Sequence, residues 1–151
     1  MDGYIMGLRR LVGNRTLIQC AASVLIVDNR GRLLLGKRSD NGFWGYAGGS
    51  VEIDEPVEDC ARRELFEEMG LKVDELTLFM INSGPETHYT YPNGDEVSNV
   101  EIVYICRSWR GTPRINDGEF TELRFFDKSE ISVETVSPPI RPVIRKFLAE
   151  K

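Results

Sequence analysis

The chain has 151 residues, 41% hydrophobic and 28% charged, with 24 acidic against 19 basic side chains and a formal net charge of −5. That balance excludes a low-complexity or collagen-like chain and disfavours general nucleic-acid binding, which draws on a basic excess to release counterions. No apolar run approaches the roughly 20 residues that span a bilayer, and the length suits one domain, residues 1–151, around one core.

The opening Met1-Asp2-Gly3-Tyr4 lacks the basic-then-apolar pattern of a secretion signal. Cys20, Cys60 and Cys106 are widely spaced among apolar neighbours, with no C-x-x-C pair. Buried free thiols in a reducing cytoplasm are expected, with neither a disulfide framework nor a zinc site. Ile5, Leu8, Leu11 and Val12 recur at roughly helical spacing and predict a short helix ending near Gly13. Leu17 to Val27 reads as a buried strand, Asp28-Asn29-Arg30-Gly31 as a tight turn, and Arg32 to Gly36 as the returning strand. Asn41 to Gly49, rich in Gly and aromatics, reads as a loop with unusual backbone needs.

From Pro56 to Met69 the spacing is helical, with Pro56 suited to the first turn and Gly70 to the position just past the end. Leu76 to Ile81 predicts a strand. His88 to Tyr91, the turn Pro92-Asn93-Gly94-Asp95, and Val97 to Trp109 predict a strand, a turn and a long strand. Leu123 to Phe126 predicts a short strand, and Ile140, Val143, Ile144, Phe147 and Leu148 form the apolar stripe of a closing helix. Strands on both sides of a central helix, with a second helix at the end, predict an α/β sandwich around a mixed sheet.

The chemistry is concentrated between Gly49 and Leu71, GSVEIDEPVEDCARRELFEEMGL. Glu64, Glu67 and Glu68 stand at i, i+3 and i+4 of the predicted helix, which brings their Cβ atoms to about 5–6 Å of one another. Such a run is by default a solvated acidic face. Here, however, Val57, Cys60, Ala61, Glu64 and Glu68 share one stripe whose first half is apolar, so the carboxylates continue the side that faces the sheet. Packed there they repel and raise one another's pKa unless a cation sits among them, and magnesium is a suitable oxygen-ligated cation.

Gly49, Glu55, Arg63, Glu64, Glu67, Glu68 and Gly70, with apolar Leu65 and Leu71, match the Nudix box at every defining position. With each fixed residue at about 7% frequency, a chance match of seven is roughly one in a million. The chain therefore resembles the Nudix hydrolase family, and LLLGKR before the loop and GEFTELRFF near the end look like flanking segments of that family.

The resemblance implies an α/β/α sandwich and hydrolysis of a pyrophosphate bond in a nucleoside diphosphate derivative. It implies that Glu64, Glu67 and Glu68 hold Mg2+, or Mn2+, with one of them also acting as base. Arg63 would be partnered by Glu55, the Gly48 or Gly49 carbonyl would add a ligand, and Glu119 would supply a further carboxylate, with Glu122 and Asp117 close by as alternatives. Ala47 departs from the proline common before the paired glycines, which bears on loop stiffness.

Physical chemistry points the same way: a pyrophosphate repelled by carboxylates alone needs cations that reverse the field and acidify bound water. Arg38 and Lys37 stand where phosphate oxygens could be clamped, and the guanidinium fork suits that role better. Phe43, Trp44 and Tyr46 are candidates for stacking on a base or for burial beneath the sheet, and Tyr89 and Tyr91 for lining a cleft or for strand packing. His88 is expected to be structural or exposed.

The substrate stays open at this point. Pro85 and Tyr89 each fall one residue from the offsets that mark ADP-ribose and dinucleoside polyphosphate subgroups of the family. A nucleoside triphosphate or related nucleotide is expected. An ADP-ribose or nucleotide-sugar pyrophosphatase and a catalytically silent nucleotide sensor are the alternatives, and the intact Arg63 and glutamates speak against the sensor. The expected partner is a small-molecule nucleotide, with no membrane and a homodimer as one option.

Overall fold

The computed structural model describes residues 3–150; Met1 and Asp2 of the opening segment, and Lys151, lie outside the described residues. In chain order the elements are α1 (Tyr4–Val12), β1 (Leu17–Ile26), β2 (Leu33–Arg38), β3 (Trp44–Gly45), β4 (Ala47–Ser50), α2 (Val57–Met69), β5 (Thr77–Asn82), β6 (His88–Thr90), β7 (Glu96–Cys106), β8 (Phe120–Phe126) and α3 (Arg141–Ala149). Short 3-10 turns join β5 to β6 and β8 to α3.

The apolar run from Leu17 makes β1 the organising strand. It runs parallel to β7 from Leu17–Val97 to Ile26–Cys106, and antiparallel to β4 on its other edge. With β5 and β6 also antiparallel to β7, this is a five-stranded mixed sheet. Alternation along β1 sends Ala22, Val24 and Ile26 to one face, where Cys60, Ala61, Leu65 and Met69 of α2 cover them. Leu25 and Val27 point to the other face, against Val143, Ile144 and Phe147 of α3. Both faces are covered, so β1 is apolar on both sides. Each fully buried leucine, such as Leu25 or Leu65, contributes about 1.5–3 kcal/mol. Among the described residues, no helix is long and apolar enough to cross a membrane.

Three expectations change here. The Asp28–Gly31 turn forms, with the Gly31 amide donating to the Asp28 carbonyl at 3.0 Å and the Asp28 amide to the Arg32 carbonyl at 2.9 Å. Beyond the Val27–Leu33 bridge, however, the strands part, because β4 and β7 already occupy both edges of β1. β2 instead pairs with β3 and β8 in a separate antiparallel three-stranded sheet. The segment expected to be a loop, Asn41 to Gly49, supplies β3 to that sheet and the first residues of β4 to the mixed one. Cys60 and Cys106 are buried free thiols, but Cys20 is exposed, because it lies at the start of β1, before the stretch from Ala22 that the α2 cluster covers.

α2 carries the candidate chemistry and is well fixed. Glu58 and Asp59 in its first turn suit the positive end of the helix dipole. Gly70 closes it in the left-handed region, φ 70°, with its amide on the Phe66 carbonyl. The last carbonyls, which have no partner within the helix, are taken up by the segment before β8: Arg114 N–H donates to Met69 O at 2.9 Å and Asn116 N–H to Glu68 O at 3.4 Å, while Asn116 Nδ2 adds a second bond to Phe66 O at 3.1 Å.

Candidate active site

Helical geometry places Glu64 and Glu68 on nearly the same line, and α2 lays that line against β4. Glu68 is only 3% exposed, and its Oε2 accepts the Gly48 amide at 3.0 Å. Glu64 lies against Gly49 so closely that a Cβ at that position would fall 2.4–2.7 Å from the carboxyl atoms. The missing side chain of Gly49 is thus what lets the Glu64 carboxylate approach the strand, while Glu68 reaches it through the Gly48 backbone amide. A Cβ on Gly48 would stand 2.2 Å from Ser23 Oγ, so neither glycine has room for a side chain.

Glu67 falls on the other side of the stripe. It is 48% exposed at its side chain and faces Arg63 Nη1 at 3.5 Å. Among the described residues, no group of three acidic, cysteine or histidine side chains stands in ion-holding geometry. The meeting of three carboxylates expected from their spacing is, in this arrangement, a meeting of two. The offset from Glu64 to Glu67 turns the helix short of a full circle, while the offset to Glu68 turns it slightly beyond.

Arg63 organises the rest. Its Nε and Nη2 fork onto Glu55 at 2.8 and 2.9 Å, its Nη1 donates to Glu64 at 2.9 Å, and its Nη2 also reaches the Ser50 carbonyl at 3.2 Å. The arginine's hydrogen bonds hold Glu55 down at about 2. Burial raises Glu64, Arg63 opposes the rise and Glu67 adds to it. Glu68 goes well above the usual carboxylate range, first through burial and then through the Glu64 charge, with the Gly48 amide opposing and Glu119 and Asp117 adding.

One buried and one half-buried carboxylate that resist sharing negative charge fit a hard divalent cation, which would relieve both the burial and the repulsion. Glu64 and Glu68 would hold it, with Glu67, the Gly48 carbonyl and Glu119 as the further candidates.

Glu119 is carried to this side by Ser39, whose amide and hydroxyl both bond the Glu119 carbonyl, at 2.9 and 3.0 Å. Its carboxylate stands 3.7 Å from Arg38, which forks onto Asp40 at 3.0 and 2.9 Å. Arg38 therefore faces the site already paired with acids, and burial works against its charge while Asp40 and Glu119 sustain it. Phe43 is not brought to the site: its half-buried ring lies under the Arg141 guanidinium, 5.7 Å from the centroid. Trp44 packs edge-on against Phe126. His88 is exposed and paired with Glu96.

On the far side of Gly48 and Gly49 opens a cleft, lined by β1, β4, the β6 hairpin and the segment before α3. Arg38 stands on its wall with Asn41, Tyr89 and Tyr91, where Asn41 Nδ2 donates to the Tyr89 hydroxyl at 3.0 Å and the two tyrosine rings meet edge to face. Its inner wall holds Tyr46, for which stacking and burial were both open from sequence, and Glu101, which no sequence motif marks. The signal for Glu101 was present: a lone acid in the apolar run of β7. The two glycines are thus a shared wall, with carboxylates behind it and an aromatic, polar cleft in front.

Comparison with known proteins follows the same lines. A family model described as NUDIX domain matches residues 18–149. A "MutT-like protein" of Streptomyces ambofaciens is 47% identical over 110 residues, which is 72% of this chain but only 63% of that protein. The "Nucleoside triphosphatase NudI" of Escherichia coli O139:H28 is 28% identical over 129 residues, 80% of this chain and 90% of that one. The crystal structure of the MutT NUDIX hydrolase from Burkholderia pseudomallei superimposes with a TM-score of 0.72 at 27% identity, covering 86% of this chain and 98% of the other.

Proposed function

The chain belongs to the NUDIX domain family and is a Nudix hydrolase, and from that premise we propose that it hydrolyses a phosphoanhydride bond of a nucleoside triphosphate or closely related nucleotide with Mg2+. The observation that carries the reading is the pair of buried Glu68 and half-buried Glu64 held against Gly48 and Gly49, directly behind a cleft with aromatic walls. A bound divalent ion would supply charge neutralisation for the polyphosphate and acidify a coordinated water.

The chain's own groups account for the rest. Arg63, fixed by Glu55, orients Glu64 and limits how far it moves as charge changes. Glu68, lifted by burial, is placed to take a proton from an attacking water at Oε1, since Oε2 is committed to the Gly48 amide. Arg38 can exchange Asp40 for phosphate oxygens, keeping a two-pronged contact. The nucleoside half then lies in the cleft, where Tyr89 and Tyr91 offer ring faces and edges. The relative named a nucleoside triphosphatase supports this substrate class over ADP-ribose or a nucleotide sugar. Free thiols throughout agree with a cytoplasmic setting.

The test is turnover of a panel of nucleoside triphosphates, ADP-ribose and nucleotide sugars with Mg2+ and with chelator, products separated by chromatography. Metal-dependent release of a nucleoside monophosphate or diphosphate from a triphosphate is the expected result. Cleavage confined to ADP-ribose or nucleotide sugars would refute the substrate class, and turnover of none would refute the hydrolase reading.

A further inference from the structure

Among the described residues, the cleft holds one carboxylate, and the phosphate chemistry does not use it. Glu101, on β7, is 7% exposed and accepts from three neutral groups: Ser23 Oγ at 2.5 Å and the Tyr46 hydroxyl at 3.0 Å, both to Oε2, and Asn82 Nδ2 at 3.1 Å to Oε1. A carboxylate has about four lone-pair sites, so one acceptor site remains, on Oε1. No ion pair of the described residues includes Glu101, so its burial, which raises it, is opposed only by those three hydrogen bonds.

Ser137 is buried to the same degree, and among the described residues its Oγ is the one buried side-chain polar atom without a hydrogen-bond partner. Both residues line the cleft, and Asn82 ties them together, its Nδ2 also donating to the Pro139 carbonyl at 2.9 Å. Buried polar groups are nearly always satisfied. A hydroxyl without a partner and a carboxylate with a spare acceptor site, on the wall of one cleft and from elements far apart in sequence, point to a ligand that completes them.

Resting on the nucleotide-hydrolase reading above, we propose that Glu101 and Ser137 form the base-reading end of the cleft, Glu101 accepting a hydrogen bond from an exocyclic amino group of the nucleobase and Ser137 completing a second bond to the same nucleoside. A site built around a buried acceptor rejects an analogue that lacks the matching donor, because the acceptor is then desolvated without a partner. The protein therefore selects amino-bearing bases over their oxo counterparts.

The experiment is calorimetric binding of CMP against UMP and of AMP against IMP, without divalent metal. In whichever pair binds, the amino-bearing member is tighter by about tenfold or more, the range of one hydrogen bond to a charged group. Glu101→Met, which removes the acceptor, brings that ratio close to one. Ser137→Ala, which removes a hydroxyl already lacking a partner, keeps the melting temperature at or above wild type and weakens every bound monophosphate at least threefold.

Equal affinity within each pair, preference for UMP or IMP, no binding of any of the four, a ratio unchanged in Glu101→Met, or unchanged affinity in Ser137→Ala would each overturn the proposal. If Glu101→Met fails to fold, the wild-type ratio and Ser137→Ala decide. The two readings fail separately: equal kcat/KM for CTP and UTP overturns the base preference and leaves the hydrolase standing, whereas no turnover of any nucleotide with Mg2+ removes the hydrolase itself.

Discussion

The Gly48 amide and the Glu68 carboxylate are joined at 3.0 Å, so the strand that walls the cleft also holds the most deeply buried acid of the site. Sequence places these residues twenty positions apart. The antiparallel pairing of β4 with β1, and the packing of α2 over both, make them neighbours.

Glu68→Gln tests the chemical side of this contact. The amide oxygen can still accept from Gly48, and a neutral group suits the burial better than a carboxylate does. The variant is expected to melt no lower than wild type in chelator while losing on the order of a thousandfold in kcat with Mg2+. Steady-state kinetics and a thermal melt on the same preparation check both halves.

Gly49→Ala tests the steric side. The new Cβ would meet the Glu64 carboxyl at 2.4–2.7 Å, so that side chain must move. A cost of about 1–3 kcal/mol in stability is expected from overpacking, and a loss of about a hundredfold in kcat from a displaced catalytic group. Far-UV circular dichroism and kinetics distinguish this from unfolding, since the mixed sheet should persist.

The Glu55–Arg63 fork has a pH signature. Arg63 holds Glu55 at about 2, below the ordinary glutamate value of 4.5, so the folded state binds this proton less readily than the unfolded state. The contribution is therefore present in full above about 4.5 and is lost as the pH falls toward 2. Arg63 is one-third exposed, so solvent screening leaves about 1 kcal/mol of it. Glu55→Gln should lower stability by that amount at pH 7, and its urea midpoint should converge on wild type as pH is lowered from 5 to 3.

How much of this was legible in the sequence depends on how local each feature is. Glu64, Glu68, Arg63 and Glu55 sit in one stretch, and helical periodicity alone placed the first two on the inward stripe. Glu67, three positions on, lies farther from the Glu64 line than Glu68 does, and it pairs with Arg63 at the rim. The cleft was not legible because its floor comes from residues brought together by long-range pairing. The parallel β1–β7 register sets Ala21 beside Glu101, Ser137 arrives from a turn, and Asn82 on β5 supports Glu101 by a hydrogen bond. Phe43 was offered as a stacking residue on composition alone, and the fold gave its ring to Arg141. The separate sheet of β2, β3 and β8 was hidden for a similar reason: a tight turn specifies reversal of the chain, and it does not specify which strand becomes the partner.

The central claim is that Glu64 and Glu68 hold the divalent ion that hydrolysis requires, and metal binding reads it directly. Mn2+ titration followed by electron paramagnetic resonance, on wild type and on Glu64→Gln/Glu68→Gln, counts bound ions without depending on turnover. Binding by wild type, weakened at least tenfold in the double variant, is the predicted result. Equal Mn2+ affinity in the two proteins would contradict the account.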